Sequence, residues 1–238
     1  MNTLFKILWG VTVMVTVSTV PAHAQKEKLN FFPISHASFV IEADSVTIYV
    51  DPTGDVKKYK SFPPPDIILV THEHYDHFDK KLISALKNEK TMIIGPQVVI
   101  DELSYGNIVR NGESKMCGSV TIEAVPAYNM SAEKLKYHPK GVGNGYVVTV
   151  LNKRIYISGD TEDTPEMRGL KQIDYAFVCM NLPYTMSIEQ AASGVLAFRP
   201  KTVFPYHFRQ SNGFADVRKF KDLVATDKNI EVKILTWY

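Results

Sequence analysis

Residues 66–77 read DIILVTHEHYDH, and this stretch decides how the rest of the chain is interpreted. Three of the seven histidines, His72, His74 and His77, fall within six positions there, together with Asp76. Imidazole and carboxylate groups are preferred protein ligands of zinc and similar divalent metals. A bound cation would offset the crowding of these groups, so the spacing H-x-H-x-D-H predicts a metal site.

The residues on either side predict how the motif is presented. The apolar run at 66–70 follows three prolines, and its short length and β-branched residues predict a buried strand. Residues 78–87 carry apolar side chains at helical spacing and predict a helix. Strand, loop and helix in this order present functional groups at the carboxyl ends of strands in α/β proteins. The alternative, an ordinary histidine-rich surface loop, is disfavoured by the buried strand.

Two later motifs, together with the first, resemble those of the metallo-β-lactamase-fold hydrolases. They are SGDT at 158–161, after the apolar run 154–157, and FPYHF at 204–208. The resemblance covers nearly all of the chain after residue 24. It implies an α/β fold, an αββα sandwich of two mixed β-sheets flanked by helices, and the grouping of predicted strands suggests that each half of the chain supplies one sheet. Residues 213–225 predict a late helix and 230–237 a closing strand.

A narrower resemblance rests on SHASF at 35–39 and YVDP at 49–52. These segments look like the branch that contains ascorbate-6-phosphate lactonase. That branch places the histidine of the first segment, His36, near the metals. The alternative for His36 is a hydrogen-bonded histidine at the start of a strand. Asp51 could hydrogen-bond a metal-bound histidine, or it could be a turn residue before Pro52.

The resemblance to the family also implies roles for individual residues. The implied metal ligands are His72, His74, Asp76, His77, Asp160 and His207. Asp160 would bridge two divalent metals, which we expect to be Zn²⁺, with Mn²⁺ or Fe²⁺ as alternatives. A hydroxide shared by the metals would be the nucleophile, and Asp76 would orient it. The expected catalytic residues are Asp76, Asp160 and His36.

One position departs from the family pattern. Members usually carry a histidine between the first motif and the bridging aspartate, but the matching stretch here, 125–129, ends in Asn129. An amide oxygen is a much weaker zinc ligand than imidazole. His138 could replace the missing ligand or line the substrate pocket, and a surface loop position is a third interpretation.

These observations predict a metal-dependent hydrolase that cleaves a small ester, lactone or phosphodiester. The predicted contacts to this small-molecule substrate are His138, Asn129, Tyr184 and Tyr206. A packing role is the alternative for the two tyrosines. The alternative, which the departure at Asn129 supports and the retained ligands oppose, is a non-catalytic metal- or ligand-binding protein of the same fold.

The first 24 residues predict a cleavable signal peptide, and 25–238 a single hydrolase domain. Lys6 precedes an uncharged apolar stretch at 7–20, and AHA at 22–24 is an A-x-A cleavage signature. The stretch is short for a membrane span, although an uncleaved anchor is the alternative. We therefore expect a periplasmic or secreted protein without stable membrane association after cleavage.

Composition narrows the possible partners. The formal net charge is +2 over 238 residues, and no basic stripe is present, so we expect no nucleic-acid partner. Hydrophobic residues make up 45% of the chain, as in ordinary globular proteins. Cys117 and Cys179 lack C-x-x-C spacing, which argues against a cysteine metal site. They could form a disulfide, but the apolar run 176–180 favours two buried thiols.

Overall fold

Residues 28–108 form the first β-sheet of the computed structural model, which describes residues 28–238. Its strands are β1 (Leu29–Ser35), β2 (Ser38–Ala43), β3 (Val46–Val50), β4 (Ile67–Leu69), β5 (Met92–Gly95) and β6 (Asn107–Ile108). Strands β1 to β3 pair antiparallel and β3 to β6 parallel, so the sheet is mixed. The predicted signal peptide at 1–24 lies outside the described residues.

The second half of the chain supplies the other strands. They are β7 (Ser114–Cys117), β8 (Val120–Ala127), β9 (Gly143–Val150), β10 (Lys153–Ile157), β11 (Tyr175–Cys179), β12 (Thr202–Tyr206), β13 (Arg209–Gln210), β14 (Gly213–Phe214) and β15 (Glu231–Val232). Seven of them form a mixed sheet in the order β15-β12-β11-β10-β9-β8-β7, while β13 and β14 form a small separate hairpin. Each half of the chain therefore supplies one large sheet, as predicted.

Within residues 28–238, five helices cover the sheets. They are α1 (Lys80–Leu86), α2 (Gln97–Leu103), α3 (Pro165–Arg168), α4 (Ile188–Phe198) and α5 (Val217–Val224), and a 3-10 turn spans Val56–Tyr59. Helices α1 and α2 pack on the outer face of the first sheet, and α4 packs on the second, where Phe198 meets Tyr156 at 5.7 Å between ring centroids. The predicted αββα sandwich is confirmed.

Alternation along the strands places the core between the sheets. In β2, Phe39 and Ile41 face the second sheet, and Val40 faces the helices on the other side. Phe39 stacks on Phe177 of β11 with ring centroids 4.3 Å apart. This packing fixes the two sheets against each other, so that loops at their common edge can form one site.

The end of the chain differs from the prediction. Helix α5 begins at Val217 because Asp216 caps it, accepting hydrogen bonds from the backbone N–H groups of residues 218 and 219. The closing strand is only two residues long. The N–H of Lys233 donates to the carbonyl of Val203, and the next donor on that side of β12 would be Pro205, which has no N–H. The ladder therefore ends there.

Two further expectations concern the described residues. Cys117 and Cys179 are both buried free thiols, as the apolar run predicted. Between residues 28 and 238, no helix combines the length and the apolar character that a membrane crossing requires.

Candidate metal centre

The predicted site residues follow the carboxyl ends of strands. Strands β1, β3 and β4 run parallel to one another in the first sheet, and so do β8, β10 and β12 in the second. The residues just beyond these six strand ends are His36, Asp51, His72, Asn129, Asp160 and His207. Because parallel strands end at the same edge, side chains far apart in sequence converge there.

The backbone at this edge is unusual. His36, Asp51 and His207 have φ angles of 57°, 43° and 47°, in the left-handed region that few non-glycine residues adopt. Gly159 of the SGDT motif also has a positive φ of 60°, and a Cβ there would lie 2.8 Å from the carbonyl oxygen of Asn144. The motif therefore needs glycine for conformation and for space, and the turn presents the following aspartate.

A first cluster of three imidazoles forms around the HEH segment. The Nε2 atom of His72 lies 3.1 Å from Nδ1 of His74, and His138 completes a group whose ligand atoms all lie within 4.8 Å of one another. Burial lowers the pKa of both His72 and His74. Neutral imidazoles have the lone pairs that a metal requires. The structure thus places His138 beside the two predicted ligands.

A second cluster forms on the other side of the HYDH segment. The Nε2 atoms of His77 and His207 lie 2.8 Å apart, and Oδ2 of Asp76 lies 3.6 Å from Nε2 of His207. His36 joins from the opposite side, with its Nε2 atom 3.0 Å from Oδ2 of Asp76. Burial raises the pKa of Asp76, but hydrogen bonds from His207 and His36 outweigh it and hold the pKa well below its usual range.

Asp160 lies between the clusters and faces both. Its Oδ1 atom is 3.4 Å from Nε2 of His77 and 3.4 Å from Nε2 of His207, while Oδ2 is 3.3 Å from Nε2 of His138. Burial raises the pKa of this carboxyl group, but the charges of His207 and His77 outweigh burial and lower the pKa well below its usual range, so the group is ionised. The two oxygens of one carboxylate therefore point to two different groups of imidazoles.

Hydrogen bonds behind the clusters orient the rings. Nδ1 of His77 donates to Oδ2 of Asp51 at 2.8 Å, which leaves Nε2 free to act as a ligand. Asp51 also accepts hydrogen bonds from the backbone N–H and the hydroxyl of Thr71, at 2.7 and 2.8 Å. The amide of Asn181 lies 2.8 Å from Nδ1 of His207. The interpretation of Asp51 as a partner of a ligating histidine agrees with this geometry.

The site fits divalent cations. The Nε2 atom of His138 and the Oδ1 atom of Asp160 are buried and have no hydrogen-bond partner among the described residues. Orphaned polar atoms of this kind are costly unless something else satisfies them. Two carboxylates and several imidazoles form a nitrogen and oxygen donor set that suits zinc and related metals. Cations at the two clusters would satisfy the orphaned atoms.

Asn129 plays a different part from the predicted one. It is fully buried and does not line the cavity, so the prediction of a substrate contact is wrong. Its Nδ2 atom donates to the carbonyl oxygens of Lys134 and Tyr184, at 3.0 and 2.8 Å. Its backbone N–H donates to the carbonyl oxygen of His138 at 2.8 Å. Asn129 therefore fixes both ends of the loop that carries His138.

A cavity of about 360 Å³ opens above the clusters. Its floor includes His74, His138 and Asp160, and its rim includes Tyr184, whose contact with a substrate stays a prediction. Tyr206, in contrast, is fully buried in the core beside Trp237 and does not reach the cavity, so its predicted substrate contact is wrong. His207, the residue after the end of β12, turns to the site, and Tyr206 itself packs between the sheets.

Several residues near the site were not predicted, and three of them have contacts that bear on its chemistry. Tyr238 hydrogen-bonds His36, Arg209 lines the cavity, and Glu162 accepts four hydrogen bonds from the His138 loop. The sequence does contain a signal for Glu162, because a charged residue directly after the SGDT motif is unusual in a segment that follows a buried strand. Arg209 likewise follows the FPYHF motif directly, whereas Tyr238 lies in a segment without a recognisable pattern.

Comparisons with known proteins agree with this site. The family described as the Beta-lactamase superfamily domain matches residues 31–207. A UPF0173 metal-dependent hydrolase of Pyrococcus abyssi is 31% identical over 215 residues, covering 84% of this chain and 93% of the relative. A UPF0173 metal-dependent hydrolase of Nanoarchaeum equitans is 30% identical and covers 85% of this chain and 94% of the relative.

Solved structures give the same result. A structure from Parabacteroides distasonis, named as a metal-dependent hydrolase, has a TM-score of 0.81 at 41% identity, covering 87% of this chain and 93% of that one. Igni18, a metallo hydrolase from Ignicoccus hospitalis, shares the fold with a TM-score of 0.75 at 22% identity, covering 88% and 95%. The chain therefore belongs to the β-lactamase superfamily, in its UPF0173 group, and is a metal-dependent hydrolase of the metallo-β-lactamase fold.

Proposed function

We propose that the protein is an exported hydrolase with two divalent metals that cleaves a small ester, lactone or phosphodiester. The observation that carries the proposal is the position of Asp160, with one oxygen toward His77 and His207 and the other toward His138. A carboxylate in this position suits a bridge between two cations. In this proposal His72, His74 and His138 hold the first cation, and Asp76, His77 and His207 the second.

The protein groups divide the work of the reaction. Cations at the two clusters would lower the pKa of a coordinated water and stabilise the negative charge that develops on an attacked carbonyl or phosphoryl group. Asp76 is held through Oδ2 by His36, and its Oδ1 is left to accept a proton from the attacking water. Tyr137 and Tyr184 stand at the cavity rim, where they would cover a small substrate.

Within the substrate classes, we favour a lactone. The support is the resemblance of SHASF at 35–39 to the ascorbate-6-phosphate lactonase-like branch, together with the position of His36 against Asp76 at 3.0 Å. The cavity volume, about 360 Å³, suits a compact molecule. The preferred metal is Zn²⁺, which both donor types accept, with Mn²⁺ and Fe²⁺ as the alternatives.

Metal content and turnover test the proposal together. Protein purified without chelator should contain close to two metal equivalents per chain and should hydrolyse at least one of a panel of lactones, esters and phosphodiesters in a chelator-sensitive way. Asp160→Asn should abolish turnover. Asp101→Asn, which changes an exposed carboxylate on α2, is the matched control and should change neither quantity.

His138→Ala tests the assignment of the first cluster. This variant should keep one metal equivalent and lose the other, because the second cluster does not use His138. Two equivalents with normal turnover would remove His138 from the site. No chelator-sensitive turnover of any substrate by the metal-loaded wild type would favour a binding protein of this fold instead.

Export is a separate part of the proposal and rests on residues 1–24. The uncharged stretch at 7–20 and the AHA signature at 22–24 support cleavage before Gln25. N-terminal sequencing of the protein recovered from the periplasm or the medium should begin at Gln25. A retained Met1 on a membrane-bound form would support the uncleaved anchor.

A further inference from the structure

Arg209 stands at the cavity without a charged partner. It lines the same cavity as His36, Asp76 and Asp160, and it is the only lysine or arginine of the described residues that does so. No carboxylate of the described chain lies within 4.0 Å of its guanidinium group, whereas Arg154, Arg168 and Arg199 each pair with a carboxylate. The positive charge of Arg209 is therefore available to a negatively charged group of a ligand in the cavity.

The hairpin that carries Arg209 is held in place. Arg209 pairs with Phe214 across β13 and β14, and the N–H of Ala215 closes the base by donating to the carbonyl of Phe208 at 2.8 Å. The ring of Phe214 lies 4.7 Å from that of Tyr238, which in turn lies 5.1 Å from that of Phe208. These aromatic rings fix the hairpin beside His207, so the backbone of Arg209 is held at a defined position next to the two clusters of candidate ligands.

The acids in the cavity do not serve as partners for Arg209. Asp76 faces His36 and His207, and Asp160 faces three imidazoles. A guanidinium group binds carboxylates and phosphates through two parallel hydrogen bonds.

We propose that Arg209 receives an anionic group, a carboxylate or a phosphate, that the substrate carries apart from its scissile bond. The enzyme then prefers anionic small molecules to neutral ones with the same bond. Tyr75, Tyr137 and Tyr184, which line the same cavity, offer rings and hydroxyl groups to the uncharged part of such a molecule. This inference rests on the proposed hydrolase function and adds the charge of the substrate to it.

Three lactones with one ring test the inference. They are γ-butyrolactone, the same ring with a carboxylate substituent, and the same ring with a phosphomethyl substituent, each assayed with the metal-loaded enzyme. The wild type should show a kcat/KM at least about tenfold higher for one or both anionic lactones than for the neutral one. Arg209→Gln should lose most of that preference through KM, and Arg209→Lys should keep part of it.

Controls separate this inference from the proposed function. Arg218→Gln is the matched control, because Arg218 has no carboxylate partner among residues 28–238 and does not line this cavity, and it should behave as the wild type with all three lactones. An equal anionic preference in the wild type and Arg209→Gln would overturn the inference, and so would a wild type that prefers the neutral ring. The phosphate and carboxylate arms identify which anion is preferred.

Binding gives a readout that does not depend on turnover. Glycerol 1-phosphate and glycerol are titrated calorimetrically into metal-loaded wild type and Arg209→Gln. The phosphate should bind about tenfold more weakly to the variant, while the binding of glycerol stays the same. If no lactone is turned over, the hydrolase proposal fails for this substrate class. Equal phosphate affinity in both proteins would overturn the role of Arg209 itself.

Discussion

The Nδ1 atom of His36 lies 2.8 Å from the hydroxyl oxygen of Tyr238, and these two residues are 202 positions apart in the chain. The other ring nitrogen, Nε2, faces Oδ2 of Asp76 at 3.0 Å. Because Nε2 faces a carboxylate oxygen, it carries the proton and donates. Nδ1 therefore accepts a hydrogen bond from the hydroxyl group of Tyr238, and the phenol fixes the tautomer that holds Asp76 in place.

Removing one oxygen atom tests this arrangement. Tyr238→Phe should leave the fold intact and weaken the hold on Asp76, so we expect the second metal to bind about tenfold more weakly and kcat to fall by a similar factor. Metal affinity is measured by competition with a chelator, and kcat with the best lactone. Tyr105→Phe is the control, because Tyr105 is 37% exposed and does not line the cavity. Unchanged metal affinity in Tyr238→Phe would contradict the proposed role.

Asp51 orients His77 from behind. Asp51→Asn removes the negative charge that faces Nδ1 of His77 at 2.8 Å and that accepts two hydrogen bonds from Thr71. We expect metal affinity at the second cluster to fall about 10- to 100-fold, because partners of ligating histidines have effects of this size. Calorimetric titration of the metal-free protein measures it. Asp101→Asn should match the wild type, and the same affinity in both variants would show that Asp51 is only a turn residue.

The part of the site that the sequence predicted is the part in which ligands follow buried strands. The runs before His72, Asp160 and His207 are short and apolar, and parallel strands bring their carboxyl ends to one edge. Local pattern and topology therefore agree at these positions. The fold class was predictable for the same reason, since the αββα layers follow from how the strands are grouped along the chain.

The residues that were missed depend on contacts that no local pattern records. Tyr238 reaches His36 because Pro205 ends the ladder of β15, which frees the last residues to cross the edge of the site. Asn129 could be recognised as a departure from the family pattern, but its buried hydrogen bonds to the carbonyls of Lys134 and Tyr184 depend on a second loop. Tertiary pairing of polar groups across many residues decides such roles.

Glu162 should stabilise the loop that presents His138. Its carboxylate accepts hydrogen bonds from the backbone N–H groups of Met130 and Ser131, both at 2.7 Å, and from the ammonium group of Lys134 at 3.0 Å. Burial raises the pKa of Glu162, but the hydrogen bonds from Ser131 and its neighbours outweigh it and lower the pKa to about 2. The group is therefore a buried carboxylate that is ionised at neutral pH.

Glu162→Gln places an NH₂ group against donors. We expect the free energy of unfolding to fall by about 3 kcal/mol, because the backbone N–H groups and the ammonium group of Lys134 lose the negative charge that they share. Urea denaturation measures this loss, and elemental analysis should show less metal at the cluster that uses His138. Glu189→Gln, an exposed glutamate on α4, is the control. A variant as stable as the wild type would show that the loop is held by other contacts.

Asp174 gives a test of acid stability far from the metals. Its Oδ2 accepts a hydrogen bond from the backbone N–H of Arg154 at 2.9 Å, and its Oδ1 pairs with Lys201 at 2.7 Å. Burial raises the pKa of Asp174, but Lys201 and the Arg154 N–H outweigh it and lower the pKa. Because the folded-state pKa lies below the ordinary value of about 3.9, the group stabilises the fold above that pH and loses this contribution as the pH falls through the folded-state pKa.

Asp174→Asn should therefore destabilise the protein by about 1 to 2 kcal/mol at pH 7, and the difference from the wild type should shrink as the pH falls below about 4. Urea denaturation of both proteins at several pH values, each in the presence of chelator, isolates this term because metal loss then affects neither comparison. Asp101→Asn should show no such trend. Only the ionised carboxylate can supply the charge-assisted hydrogen bonds that link β10 to the start of β11 and β12. A difference in stability between the wild type and Asp174→Asn that stays constant from pH 7 to pH 3 would therefore mean that the side chain contributes through packing and shape.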